Sequence, residues 1–131
     1  MTEKQIESLV SKWQPRLGLS EWKIEYHFEE PEDPDETARA DCIGDYQVVK
    51  LYFNPVMLTG DSDFIGECSP EENEITIIHE LLHVAILPMR TVRFHSAPKK
   101  KKVYDIWHKA HSSAEEACVD KLARSLFREW K

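Results

Sequence analysis

The chain has 131 residues, enough for one hydrophobic core and too few for two ordinary domains. A formal net charge of −7 argues against general affinity for nucleic acid, and no apolar run approaches the roughly 18 residues that a membrane-spanning helix needs. We expect a single domain over residues 1–131. Because residues 1–7 lack the basic and apolar regions of a signal peptide, we also expect a cytoplasmic protein without a membrane partner.

The amino-terminal half predicts one helix followed by three strands. Apolar residues at helical spacing predict a helix over residues 3–18, ended by Gly18. Alternating apolar and polar residues then predict three strands, the last two on either side of a turn at Gly44-Asp45: residues 22–28, 37–42 and 47–53. The three cysteines are widely scattered and favour reduced thiols over a disulfide framework: Cys42, Cys68 and Cys118.

A central helix begins after an irregular segment at residues 54–68, which Pro55, Gly60 and Gly66 interrupt. Ser69, Pro70 and Glu72 form the pattern of a capping box, with Ser69 as N-cap and Pro70 in the first helical position. Pro88 marks the end of this helix. The sequence therefore predicts a helix of ordinary globular length between these two signals.

The last third of the chain predicts a loop over residues 89–98 and a helix over residues 99–131, for which residues 111–113 are a candidate interruption. The order of helix, three strands, helix and helix predicts an α+β fold, with helices stacked on one small sheet.

The central helix contains the pentapeptide His79-Glu80-Leu81-Leu82-His83. Positions i and i+4 lie on one helical face, so His79 and His83 can direct imidazole nitrogens at one metal ion. Glu80 lies roughly 100° further round the helix and can reach a water on that ion without binding the ion itself. The pattern predicts a zinc hydrolase site with Glu80 as its base.

Apolar residues surround this motif on nearly every side of the helix, from Ile75 to Leu87. Burial of two histidines and a glutamate among them costs several kcal/mol unless the polar groups find partners. Zinc and water would satisfy them. The alternative is a pair of core histidines that hydrogen-bond to backbone or carboxylate groups.

A third ligand is expected from the carboxyl-terminal helix. Glu116 and Asp120 are spaced i, i+4, so Glu116 can bind the metal while Asp120 accepts the outer N–H of a ligating histidine. Glu115 remains an alternative to Glu116, and a solvated acidic helix start is the alternative to both. The other candidate ligands are His95, His108 and His111. The metzincin class is excluded, because its third ligand is a histidine six residues after the second, and this chain has Met89 at that position.

His79-Glu80-Leu81-Leu82-His83 followed by Glu116 and Asp120 resembles the gluzincin group of zinc metallopeptidases. The short chain is similar to minigluzincins and to small metallopeptidases of phages and prophages. The resemblance implies zinc bound by His79, His83 and Glu116, with Asp120 orienting a ligand. It also implies a zincin-like fold with a sheet of three or slightly more strands, an amino-terminal helix, an active-site helix and a carboxyl-terminal backing helix.

The resemblance implies that the strand at residues 47–53 borders the cleft and pairs with an extended peptide substrate. Tyr104, His108 and His111 are candidate contacts for the oxyanion or the substrate. The expected activity is hydrolysis of peptide bonds in a peptide or protein. The alternatives are a non-catalytic zinc-binding interaction module of phage or prophage origin, and another zinc hydrolase such as a deamidase. The run Lys99–Lys102 is either a solvated helix end or a contact for phosphate or an acidic partner.

Overall fold

A computed structural model describes residues 1–43, 46–60 and 68–130. These residues form an α+β fold with one three-stranded mixed sheet and several helices, which confirms the predicted fold class. The turn predicted at Gly44-Asp45 lies outside the described residues. Among the described helices, none alone has both the length and the apolar character to cross a membrane, although a bent pair, Pro70–Ala85 with Leu87–His95, passes on length and composition.

The first helix, α1, spans Glu3–Trp13 and is shorter than predicted. It begins at Thr2, whose hydroxyl accepts a hydrogen bond from the Gln5 N–H, while the Gln5 side chain accepts one from the Thr2 N–H. The predicted end at Gly18 is wrong for α1 itself, because Pro15 starts a separate 3₁₀ turn at Pro15–Leu17. Gly18 then follows in the left-handed conformation, with φ of 73°.

The sheet consists of β1 at Lys23–Phe28, β2 at Ala38–Ile43 and β3 at Val48–Phe53, in the order β1-β3-β2. Strand β3 is parallel to β1 and antiparallel to β2. Both of its edges are therefore paired, and the predicted role of residues 47–53 as the strand that pairs with substrate is wrong. Among the described residues, β1 and β2 are the two edge strands, and β2 is the one that packs against the central helix described next.

The central helix, α3, spans Pro70–Ala85. Ser69 accepts a hydrogen bond from the Glu72 N–H, as the predicted cap requires. The reciprocal bond of a capping box is not seen among the described residues, because the Glu72 carboxylate binds the Arg124 guanidinium at 3.1 and 3.3 Å.

Three further predictions about helices are corrected by the structure. The segment predicted to be irregular contains a short helix, α2, at Val56–Thr59. Residues 89–98 were predicted as a loop, but α4 spans Leu87–His95, because Pro88 occupies its first turn and so starts a helix instead of only ending one. The last helix, α5, runs from Lys101 to Trp130 without interruption at residues 111–113.

Helix α3 packs against α5, β2 and α1. Trp13 of α1 is fully buried, and its indole N–H donates to Glu74 of α3 at 2.6 Å. The buried side chains of every layer belong to one continuous core: Ile6, Val10, Trp13, Leu19, Val49, Leu51, Phe53, Met57, Ile75, Ile77, Ile78, Leu81, Leu82, Val84, Val119, Ala123 and Phe127. This core packs α3 against β2 and against the carboxyl-terminal half of α5.

Candidate metal centre

Two histidines of α3 and one glutamate of α5 converge on a single point. The Nε2 atoms of His79 and His83 are 3.2 Å apart. Glu116 completes a triangle, with Oε2 at 3.1 Å from His79 Nε2 and Oε1 at 2.9 Å from His83 Nε2. The three sequence-predicted ligands are thus brought together, and they form a group of possible metal donors.

The donor atoms are close enough for one metal ion to bind all three residues. One atom from each residue can be chosen so that all three lie within 4.8 Å of one another. Ligand atoms at about 2.0–2.1 Å from zinc lie roughly 3.3 Å from one another in a tetrahedron, close to the 3.2 Å between the two Nε2 atoms. Without a cation, one Nε2–H can donate to the other Nε2 or to Glu116, whereas a cation would accept an electron pair from each nitrogen.

Electrostatics at His79 favour the form that binds a metal. Burial lowers the pKa of His79, and the nearby His83 lowers it further, while Glu116 acts in the opposite direction. A lowered pKa keeps the imidazole neutral, with a lone pair free for a ligand bond. The Glu116 side chain is 59% exposed, so the cluster opens to solvent on the α5 side.

Glu80 is buried beside the cluster and faces β2. The backbone N–H of Ala40 donates a hydrogen bond to its carboxylate, which stabilises the charged form. Burial and repulsion from Glu116 outweigh that bond and raise the pKa of Glu80 to about 8. The structure thus contains a carboxyl group whose proton affinity is in the range suited to acid–base chemistry near neutral pH.

Glu115 faces away from the three donors and contacts the other side of His83. Its Oε1 lies 3.7 Å from His83 Nδ1 and 3.4 Å from Arg90 Nε. Its Oε2 lies 3.4 Å from the Arg93 guanidinium. Of the two carboxylates considered as third ligand, Glu116 lies close to the Nε2 atoms of both histidines. Glu115 lies near the opposite nitrogen, Nδ1, of His83.

Asp120 lies near His79, and the two residues line one cavity beside α3. Its hydrogen bond among the described residues goes to Arg124 Nε at 3.2 Å, not to a histidine ring. The expected bond from Asp120 to a ligating histidine is therefore not seen. The physical reason is local, since Arg124 is one helical turn from Asp120 and competes for its carboxylate.

A cleft runs between the edge of β2 and helices α3 and α5. One cavity of about 200 Å³ lies beside Thr37, Ala38, His79 and Glu80. A neighbouring cavity of about 400 Å³ is lined by residues from β2, α3, α4 and α5: Glu36, Ala38, Arg39, Ala40, Asp41, Glu80, His83, Arg90, Ser112, Glu115 and Glu116. The cleft therefore brings the free strand edge, the buried carboxyl group and the metal donors together.

The predicted oxyanion or substrate contacts do not line this cleft. Tyr104 stacks on His108 at 5.6 Å between ring centroids, and His111 packs on Trp107 at 4.5 Å. His108 also packs on Phe94 of α4, and His111 borders a different cavity. His95 of α4 is likewise outside the donor group.

Sequence reasoning missed Arg90 and Ser112, which do line the cleft. Arg90 was overlooked because its segment was predicted as a loop. Ser112 was read as a helix interruption. A scan for basic residues at i, i+3 spacing would have singled out Arg90 and Arg93 as a pair on one helical face.

Comparison of the chain with protein-family models, with curated proteins and with solved structures finds no match.

Proposed function

We propose that the chain is a zinc-dependent peptidase with a gluzincin-like site, in which His79, His83 and Glu116 hold the ion. The observation that carries this proposal is the convergence of three donors, within 4.8 Å of one another, beside the buried Glu80. A cluster of three donors leaves a fourth tetrahedral position for solvent or substrate, as hydrolytic sites require.

Zinc at this position would supply a Lewis acid that polarises a peptide carbonyl and makes water more acidic. Glu80 would take the proton from the attacking water and deliver it to the leaving amine. Its pKa of about 8 applies to the metal-free protein. A nearby cation would lower that pKa, so that Glu80 is ionised and acts as a base at neutral pH.

The free edge of β2 supports an extended peptide as substrate. The Ala40 N–H points towards Glu80 and thus away from β3. Because successive N–H groups of a strand alternate in direction, the N–H of Ala38 points the same way. A peptide that adds as a further strand would find backbone partners beside the metal donors.

The alternative of a non-catalytic zinc-binding module predicts a fourth protein ligand in place of solvent. Within the part of the chain that the structure describes, the donor group has three members, and neither His95 nor His111 belongs to it. This supports the catalytic proposal over the closed site.

A fluorogenic peptide library, assayed with added zinc and with a chelator, tests the proposal. We expect hydrolysis that the chelator abolishes and that Glu80→Gln reduces by at least 100-fold, while zinc content is unchanged. Glu71→Gln is the matched control, because Glu71 is an exposed glutamate on the same helix. Hydrolysis that persists in Glu80→Gln, or under chelation, would contradict the proposal.

A further inference from the structure

A second cavity, of about 510 Å³, lies between α4 and α5. Glu115 and Arg90 line both this cavity and the cleft, so they separate the two. The cavity has the size of a small-molecule site. Most of its lining is apolar: Ile86, Met89, Ala114, Cys118, Val119 and Leu122.

The apolar lining remains largely open to solvent. Met89 is 73% exposed and Leu122 is 44% exposed, so two large apolar side chains at the cavity are uncovered. Exposed apolar surface around a concavity is typical of a ligand site. An apolar group that entered this cavity would cover both side chains.

The polar wall of the cavity has an imbalance of charge. Arg90 and Arg93 contact one carboxylate, that of Glu115, at 3.4 Å each. The Nε atoms of both arginines are buried and, like Glu115 Oε1, form no well-aligned hydrogen bond within the described residues. Among the residues that line this cavity, two guanidinium groups share one carboxylate, and buried donors without partners are costly.

The surrounding segment is also basic. Residues 87–111 contain seven of the 17 Lys and Arg residues of the chain and one of its 24 acidic residues. Of these seven, Arg90 and Arg93 line the cavity, and the others extend the basic segment along the start of α5.

We propose that the cavity between α4 and α5 binds a small amphiphilic carboxylate, such as a fatty acid. The apolar chain of the ligand lies against Met89, Cys118 and Leu122. Its carboxylate binds Arg90 and Arg93 and supplies the second anion that the guanidinium pair lacks. This site does not depend on the proposed peptidase activity.

Isothermal titration calorimetry of the full chain with decanoate tests the proposal. We expect saturable binding of one decanoate per chain, and binding at least tenfold weaker for decan-1-ol and for decyltrimethylammonium. His79→Ala, which removes the metal donor that contacts Glu116 on the cleft side, should bind decanoate as the wild type does. This result would show that decanoate binding does not require the zinc site, so the two proposals can fail independently.

Two substitutions locate the site. Arg93→Met removes one guanidinium and should weaken decanoate binding at least tenfold, whereas Arg128→Met on the exposed end of α5 should not. Cys118→Trp fills the cavity and should abolish binding, with Ser125→Trp as its exposed control. Far-UV circular dichroism checks folding, and if Arg93→Met does not fold, Cys118→Trp decides. Absence of saturable binding, equal binding of decan-1-ol, or wild-type binding by Cys118→Trp would overturn the proposal.

Discussion

Glu115 and Glu116 are adjacent in α5 but contact opposite sides of the same imidazole ring. Glu116 Oε1 lies 2.9 Å from His83 Nε2, and Glu115 Oε1 lies 3.7 Å from His83 Nδ1. Successive helical residues point about 100° apart, which allows one carboxylate to face the donor cluster and the other to face Arg90 and Arg93. We therefore propose different roles for the two residues: Glu116 as a metal ligand and Glu115 as a residue that positions His83.

This division predicts unequal effects on zinc affinity. Glu116→Gln should weaken zinc binding by roughly 100-fold or more, because it removes a ligand, whereas Glu115→Gln should weaken it by about tenfold through His83. Titration against a chromogenic chelator measures both affinities. A larger loss for Glu115→Gln than for Glu116→Gln would reverse the assignment.

Glu80 should make the stability of the metal-free protein depend on pH. Its pKa is raised from 4.5 to about 8 in the folded chain, so the folded state holds a proton that the unfolded state releases over this range. Wild-type protein should therefore lose stability relative to Glu80→Gln as pH rises from 4.5 to 8, by roughly 4 kcal/mol in total.

Urea unfolding in the presence of a chelator, at pH 5 and at pH 8, measures this difference. We expect Glu80→Gln to be the more stable protein at pH 8 and the two proteins to be similar at pH 5. An equal difference at both values would show that Glu80 has an ordinary pKa.

Strand β2, and not β3, should control substrate affinity. Ala38→Pro removes an N–H that points to the cleft, while a proline at the first residue of an edge strand is tolerated by the sheet. We expect KM for peptide hydrolysis to rise by about tenfold, with zinc affinity unchanged. Ala38→Ser keeps the N–H and should behave as the wild type. Equal KM values for Ala38→Pro and Ala38→Ser would exclude strand addition at this edge.

Substitution of Glu74 should lower the free energy of unfolding more than substitution of its ion-pair partner Lys12. Its Oε1 accepts hydrogen bonds from the Trp13 indole at 2.6 Å and from Lys12 at 2.7 Å. Glu74→Ala leaves the buried indole N–H without its partner and should cost about 1–3 kcal/mol. Lys12→Ala removes only a partly exposed ion pair and should cost less than about 1 kcal/mol. Urea unfolding compares the two, and an equal loss would argue against the indole bond.

Local patterns were sufficient to predict some parts of this structure. The cap at Ser69 and the apolar residues around His79 located α3, because both signals depend on neighbours in the chain. The i, i+4 spacing of the two histidines was sufficient to predict that their nitrogens converge.

Other parts depend on contacts between distant segments. The order β1-β3-β2 follows from which strands pair, and alternation within a strand carries no information on its neighbours. The choice between Glu115 and Glu116 required the rotation of α5 against α3. Asp120 was assigned to a histidine although Arg124, at i+4, offered a nearer partner within the same helix.

The most direct test of the proposed zinc site is the zinc content of the purified chain, measured by inductively coupled plasma mass spectrometry after dialysis against trace zinc. We expect one zinc ion per chain in the wild type and in Glu80→Gln, and much less than one in His83→Ala. A wild-type chain that retains no zinc, or a His83→Ala chain that retains a full equivalent, would contradict it.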